Sequence, residues 1–280
     1  MGYKTLLAIL QGEDDAKRVL GLAVPLAAHG RSHLIGLHAT ALPMVYAAPM
    51  GAPMAGLNEA SRAFSEERVA ALRKLFDERT RAEGVSAEWR GMENVSGDAA
   101  LSGLESAHCA DLVIVQQIDP DASSDQIANV EALIFETGRP VLFVPYAGRT
   151  NGPVFKRILV AWNGTRESAR ATFDALPFLK QAEAVEVLTV DAADSYKQDA
   201  PVAGAEICAA LARHDVQVTL KSETSGELPA GEVIENRVSD FGAELLVMGA
   251  YGHSRLRQFV FGGVTRTVLG SMPVPTLMAR

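Results

Sequence analysis

The chain repeats itself. Lys4-Thr5-Leu6-Leu7-Ala8-Ile9-Leu10 is echoed by Lys156-Arg157-Ile158-Leu159-Val160-Ala161-Trp162, and Gly12 by Gly164 at the same spacing. Val24-Pro25-Leu26 returns as Leu176-Pro177-Phe178. Asp111-Leu112-Val113-Ile114-Val115 returns as Glu244-Leu245-Leu246-Val247-Met248, and Pro140-Val141-Leu142-Phe143 as Pro275-Thr276-Leu277-Met278. The period is about half the chain, which means duplication of a whole domain and excludes a solenoid. Residues 1–149 and 153–280 are the two expected domains, joined through Ala147-Gly148-Arg149-Thr150-Asn151-Gly152-Pro153.

Within the first copy, short apolar runs alternate with helical patterns. Tyr3–Leu10, Leu34–Ala39, Val85–Trp89, Asp111–Val115 and Pro140–Val144 read as strands. Between them, Glu13-Asp14-Asp15 opens a helix that Gly30 should stop. Asn58 is placed to cap a second helix ending near Gly84, Asp98 to Cys109 is helical, and Ser124 to Thr137 carries the last helix. Strands alternating with helices predict an α/β fold: two tandem open parallel five-stranded sheets with helices on both faces. Ligands of such sheets sit at the carboxyl ends of the strands. The segment Leu42 to Gly56 fits neither element. Its three prolines and three methionines predict a long apolar loop, either a cover over core or interface or an adaptable lining for a small molecule.

Charge and composition exclude several classes. Net charge is −8, which argues against general affinity for nucleic acid. No apolar run approaches the ~20 residues of a membrane span, and the N-terminus carries no basic-then-apolar signal, so no membrane association and a cytoplasmic location are expected. Cys109 and Cys208 lie in helical patterns and are expected to be buried structural thiols. The six histidines do not cluster, so no metal site is expected.

The two copies differ after the fourth strand. The second has Gly249 and Gly252 there, and Gly262-Gly263 before a helix starting at Val264-Thr265; the first has Gln116 and Asp119 and no glycine pair. Glycines at a strand's carboxyl end let backbone N–H groups approach an anion, and the following helix N-terminus adds donors and partial positive charge. The spacing resembles the G-x2-G-x9-G-(S/T) nucleotide motif of the universal stress protein family. Gly263 stands where the family has Ser or Thr; Thr265, two residues on, is a candidate substitute hydroxyl.

Over the whole chain the pattern resembles a tandem universal stress protein. That resemblance implies strand order 3-2-1-4-5 in each domain and domains packed as a pseudo-dimer, the chain itself being a monomer or a homodimer. It implies an adenine nucleotide, ATP or else ADP or AMP, in the second domain. Adenine would lie by Ala161 and Val190 and ribose by Asn163, where ATP-binding members have an acid. The phosphates would meet Met248, Gly249, Gly252, His253, Gly262, Gly263, Val264 and Thr265, with Arg255 and Arg257 within reach and Mg²⁺ as the accompanying ion. The role implied is a cytoplasmic stress sensor or regulator. Two alternatives stand beside it: a nucleotide-free module that binds an apolar ligand or protein partners, and a slow ATPase. No catalytic residue is assigned. There is no Walker Gly-Lys-Ser/Thr, and no acid inside the glycine motif to hold a metal; Asp191, after the second strand, is the nearest by fold position. A sulfur- or AMP-transferring relative would show Ser-Gly-Gly-x-Asp-Ser after the first strand, a pattern that Asn163-Gly164-Thr165-Arg166-Glu167-Ser168 fails.

Overall fold

The computed structural model describes residues 2–41, 55–119, 129–147, 152–191, 203–252 and 263–280, with side chains from residue 62 onward in the second of these segments. The first half carries β1 (Thr5–Ile9), β2 (His33–Ala41), β3 (Ala87–Asn94), β4 (Leu112–Gln116) and β5 (Val141–Val144). The second carries β6 (Arg157–Ala161), β7 (Ala184–Val190), β8 (Val218–Glu223), β9 (Leu245–Gly249) and β10 (Thr276–Ala279). Each half has the order 3-2-1-4-5, all parallel within the half. In both, therefore, the first and fourth strands are parallel neighbours and the order in which strands are added reverses between them, which opens a crevice at their carboxyl ends.

The two sheets are joined edge to edge. β5 and β10 pair antiparallel and make one ten-stranded sheet, β3-β2-β1-β4-β5-β10-β9-β6-β7-β8. Leu142 faces Leu277 in this pairing. These are equivalent positions of the repeat, so a pseudo-twofold axis passes between them. The physical reason for the seam is that β5 and β10 would otherwise each be a bare edge strand of predominantly apolar residues. Pairing them satisfies both ladders, and the pseudo-dimer takes the form of a continuous sheet.

Alternation along each strand sends side chains to two core layers. Leu6, Ala8 and Leu10 join one and Leu7 and Ile9 the other. The first layer is covered by α1 (Glu13–Gly30), α2 (Ala55–Ala82), α6 (Arg166–Asp174), α7 (Leu176–Leu179) and α8 (Ala205–Ala212). The second is covered by α3 (Ala99–Ser102), α4 (Leu104–His108), α5 (Val130–Glu136), α9 (Ala230–Phe241) and α10 (Gly263–Ser271). Both layers draw residues from both halves, and further contacts cross between them. Tyr3 Oη donates to the Asp174 carbonyl at 2.6 Å, and the Tyr3 ring meets Phe178 at 5.2 Å.

Several local expectations are corrected. The left-handed residue that ends α1 is Arg31 (φ 49), not Gly30, which is the last helical residue. Asn58 lies inside α2, which starts at Ala55, so it does not cap it. The helical stretch before β4 is two short helices broken at Gly103, with the Asp98 carboxylate capping the first by accepting from the Ala100 and Leu101 N–H groups. Asn129 caps α5; Ser124, the expected start, lies outside the described residues, as does most of the Met/Pro segment. Cys109 is exposed where the chain leaves α4, while Cys208 is half-buried and its thiol pushed up by burial. Among the described residues, no helix is long and apolar enough to cross a membrane.

Candidate functional site

The expected site residues of the second half that are described lie at the carboxyl ends of β6, β7 and β9 and at the start of α10. Ala161 stands in register with Met248 on one side and Leu188 on the other, so the exits of β6, β7 and β9 emerge together. Met248 is buried in the core, whereas Ala161 and Val190 are partly exposed at the rim. Beyond β6 the chain turns through exposed Asn163 and Gly164 (φ 69). Asn163 Oδ1 accepts from Thr165 Oγ1 at 2.8 Å and from Thr165 N at 3.3 Å, an Asx turn that sets up the helix. Thr165 then caps α6 by accepting from Ser168 N.

Gly249 is glycine for a reason internal to the fold. A Cβ there would lie 2.5 Å from Ser168 N and 2.6 Å from the Glu167 carbonyl carbon, so the missing side chain lets the first turn of α6 lie on the end of β9. Gly252 faces side chains: a Cβ would stand 3.1 Å from Thr165 Oγ1 and 3.3 Å from Glu167 Oε2. Glu167, outside the motif in sequence, is therefore an acid beside the glycine turn in space. It is 3% exposed and paired with the exposed guanidinium of Arg166. Burial works to raise its carboxyl, but Arg166, its own backbone N–H and Thr165 outweigh this and hold it below the usual range. The clue available in the sequence was adjacency: a residue opening α6 must face the end of β9 once β6 and β9 are neighbours. Asp191 is engaged elsewhere. It sits at φ 50, and its carboxyl is lowered by the Ser225 side chain and then by the Ser225 backbone N–H, which donates to Oδ1 at 2.8 Å.

The turn after β9 is held from two sides. Tyr251 has φ 55, a region unfavourable by about 1–3 kcal/mol for a bulky residue and maintained only by its surroundings. Its N–H donates to Thr265 Oγ1 at 3.3 Å, which ties the turn to α10. Thr265 is thus buried and engaged with the chain itself rather than displayed as a substitute hydroxyl. Gly263 opens α10, exposed and with nothing within 4 Å of the direction a side chain would take; Val264 beside it is partly buried. His253 and Gly262, with Arg255 and Arg257, lie outside the described residues.

The first half is built differently at the same place. Gln11, the counterpart of Asn163, is buried. It donates to the Gly97 carbonyl at 2.7 Å and accepts from Ala99 N at 2.9 Å, so its amide ties the exit of β1 to the start of α3. After β4, Gln116 accepts from Arg18, and buried Gln117 reaches across the seam to donate to the Leu269 carbonyl of α10 at 2.8 Å. Among the described residues, no three His, Cys, Asp or Glu side chains gather as a metal site.

Residues 155–280, the second half of the chain, match the universal stress protein family. Solved structures extend the likeness to the first half. A universal stress protein from Archaeoglobus fulgidus shares 16% identity over 99% of this chain and 96% of its own, with a TM-score of 0.74. A protein of unknown function from Pseudomonas aeruginosa PAO1 shares 16% identity over 99% of this chain and 92% of its own, with a TM-score of 0.56. At such identity the likeness is one of fold. No curated protein sequence matches the chain.

Proposed function

We propose that the second half binds ATP or a related adenine nucleotide at the carboxyl ends of β6, β7 and β9, and that the chain acts as a cytoplasmic sensor or regulator rather than as an enzyme. The observation that carries this reading is the contrast between halves. Gln11, buried and bonded to Gly97 and Ala99 in the first half, has exposed Asn163 as its counterpart in the second, followed by exposed Gly164. Adenine would lie along Ala161 and Val190 and ribose at Asn163. The phosphates would meet the Gly249–Gly252 turn and the α10 N-terminus at Gly263 and Val264, with His253 and Gly262 completing the motif. A neutral amide at 163 accepts a ribose hydroxyl more weakly than a carboxylate would. Mg²⁺ enters with the nucleotide, since such an ion is held by phosphates and one or two carboxylates, and Glu167 is the acid nearest the turn. The test is calorimetric titration of the nucleotide-free protein with ATP, ADP and AMP, alongside Gly252→Asp. Saturable binding by the parent and its loss in the variant support the reading. No binding by the parent sinks it and favours the nucleotide-free module. Steady phosphate release above a buffer control, abolished in Gly252→Asp, moves the assignment to a slow ATPase.

A further inference from the structure

We propose that the first half holds the second half's glycine turn in its binding shape through Glu131 and Phe135, with Tyr251 as the positioning residue. Three contacts fix Tyr251. Its N–H is bonded to Thr265, its ring lies on Phe135 with centroids 4.7 Å apart, and its hydroxyl donates to Glu131 Oε1 at 3.0 Å. The last two belong to α5, across the β5–β10 seam. Arg280, just past β10, lies over the same Phe135 ring at 4.3 Å and braces it. Burial, with the hydrogen bond and charge of Glu131 behind it, pushes the Tyr251 phenol up, so it stays a donor throughout the ordinary pH range.

A second contact crosses the seam in the opposite sense. Gln117, leaving β4, reaches α10, as Tyr251, leaving β9, reaches α5. The two contacts differ in consequence. Gln117 is a buried amide on a backbone carbonyl, and it locks the seam. Tyr251 stands in a left-handed conformation immediately before Gly252, so its anchoring sets where the Gly252 backbone points. A strained residue relaxes when its surroundings release it. Cutting the tie to Glu131 therefore frees the turn, and the nucleotide must then order it on binding. By linkage, occupancy of the turn reports back on the seam between the halves.

This inference rests on nucleotide binding by the second half, and the experiment separates the two claims. The full chain is titrated with ATP as parent, Tyr251→Phe, Glu131→Leu, Glu131→Gln and the Tyr251→Phe/Glu131→Leu double variant. Tyr3→Phe is the control, since it removes a cross-half hydrogen bond remote from the turn. The clasp predicts Kd raised about three- to tenfold in Tyr251→Phe and Glu131→Leu, the worth of one partly exposed hydrogen bond. It predicts no further loss in the double variant, near-parent binding in Glu131→Gln, which keeps an acceptor, and no change in Tyr3→Phe. Parent-like Kd in both Tyr251→Phe and Glu131→Leu overturns the clasp while leaving the site intact. Equal weakening by Tyr3→Phe overturns it too, because any loosening of the seam would then suffice. A parent that binds no nucleotide overturns both claims.

Discussion

Replacing Gly249 by alanine tests the reading of how the crevice is built. The added Cβ would lie 2.5 Å from Ser168 N, 2.6 Å from the Glu167 carbonyl carbon and 2.9 Å from Glu167 Cβ. Carbon contacts are comfortable at about 3.5–4.0 Å, so relief requires β9 and the first turn of α6 to part by roughly 1 Å. Neither yields cheaply: β9 pairs on both sides, with β6 and β10, and the turn holds buried Glu167 and Ser168 under the Thr165 cap. Overpacking typically costs about 1–3 kcal/mol. With two of the three contacts on backbone, the upper end applies, and Gly249→Ala should lose about 3 kcal/mol. Urea unfolding of nucleotide-free protein measures this; at a slope of about 3 kcal/mol per molar, the midpoint falls by about 1 M. Gly263→Ala is the internal control, since nothing lies within 4 Å of its added methyl, and it should be neutral or stabilising by up to about 1 kcal/mol. A Gly249→Ala variant within about 0.5 kcal/mol of parent would refute the close packing of α6 on β9.

Three further outcomes follow from the same structure. Gly263→Ser places a hydroxyl at the α10 N-terminus without steric conflict and should tighten ATP about three- to tenfold in the same titration. Arg237→Ala strips a two-pronged partner, Nε to Oε1 at 2.6 Å and Nη2 to Oε2 at 2.7 Å, from the buried Glu186 carboxylate of β7. It should cost about 3 kcal/mol in urea unfolding, much of it recovered by adding Glu186→Gln. His38 is fully buried, with Nδ1 2.8 Å from the Leu10 carbonyl and Nε2 unpartnered. Burial lowers its pKa against the pull of the Leu10 hydrogen bond, and the Arg68 charge lowers it further. The folded state thus prefers the neutral ring, so this contribution is whole above the unfolded pKa of about 6.5 and is lost as pH falls through it. Unfolding at pH 7.5 and 5.5 should show a stability loss on acidification that is smaller in His38→Asn, which keeps a donor for Leu10.

The fold was legible because duplication exposes itself: matching β1 and β6, β4 and β9, and β5 and β10 openings are visible without any structure. Joining of the two sheets was less so. Pairing of β5 with β10 depends on which edges are left bare, and both read simply as closing strands. At the site, the motif was found by spacing, but spacing does not say what a glycine makes room for. Gly249 makes room for α6, a contact between residues far apart in sequence. Glu167 was passed over because it stands outside the motif and reaches it only through strand adjacency. The exposure of Cys109 and the commitment of Thr265 to Tyr251 likewise depend on tertiary neighbours.

The measurement closest to the central claim is the number of nucleotides held per chain and their location. Protein purified without added nucleotide is denatured, and released small molecules are identified by mass spectrometry; stripped protein is then titrated to saturation with ATP. The account predicts one equivalent per chain, none in Gly252→Asp, and one in a variant carrying Asp119→Lys in the first half. Two equivalents, or one that survives Gly252→Asp, would contradict it by placing nucleotide in the first half, where Gln11 is buried.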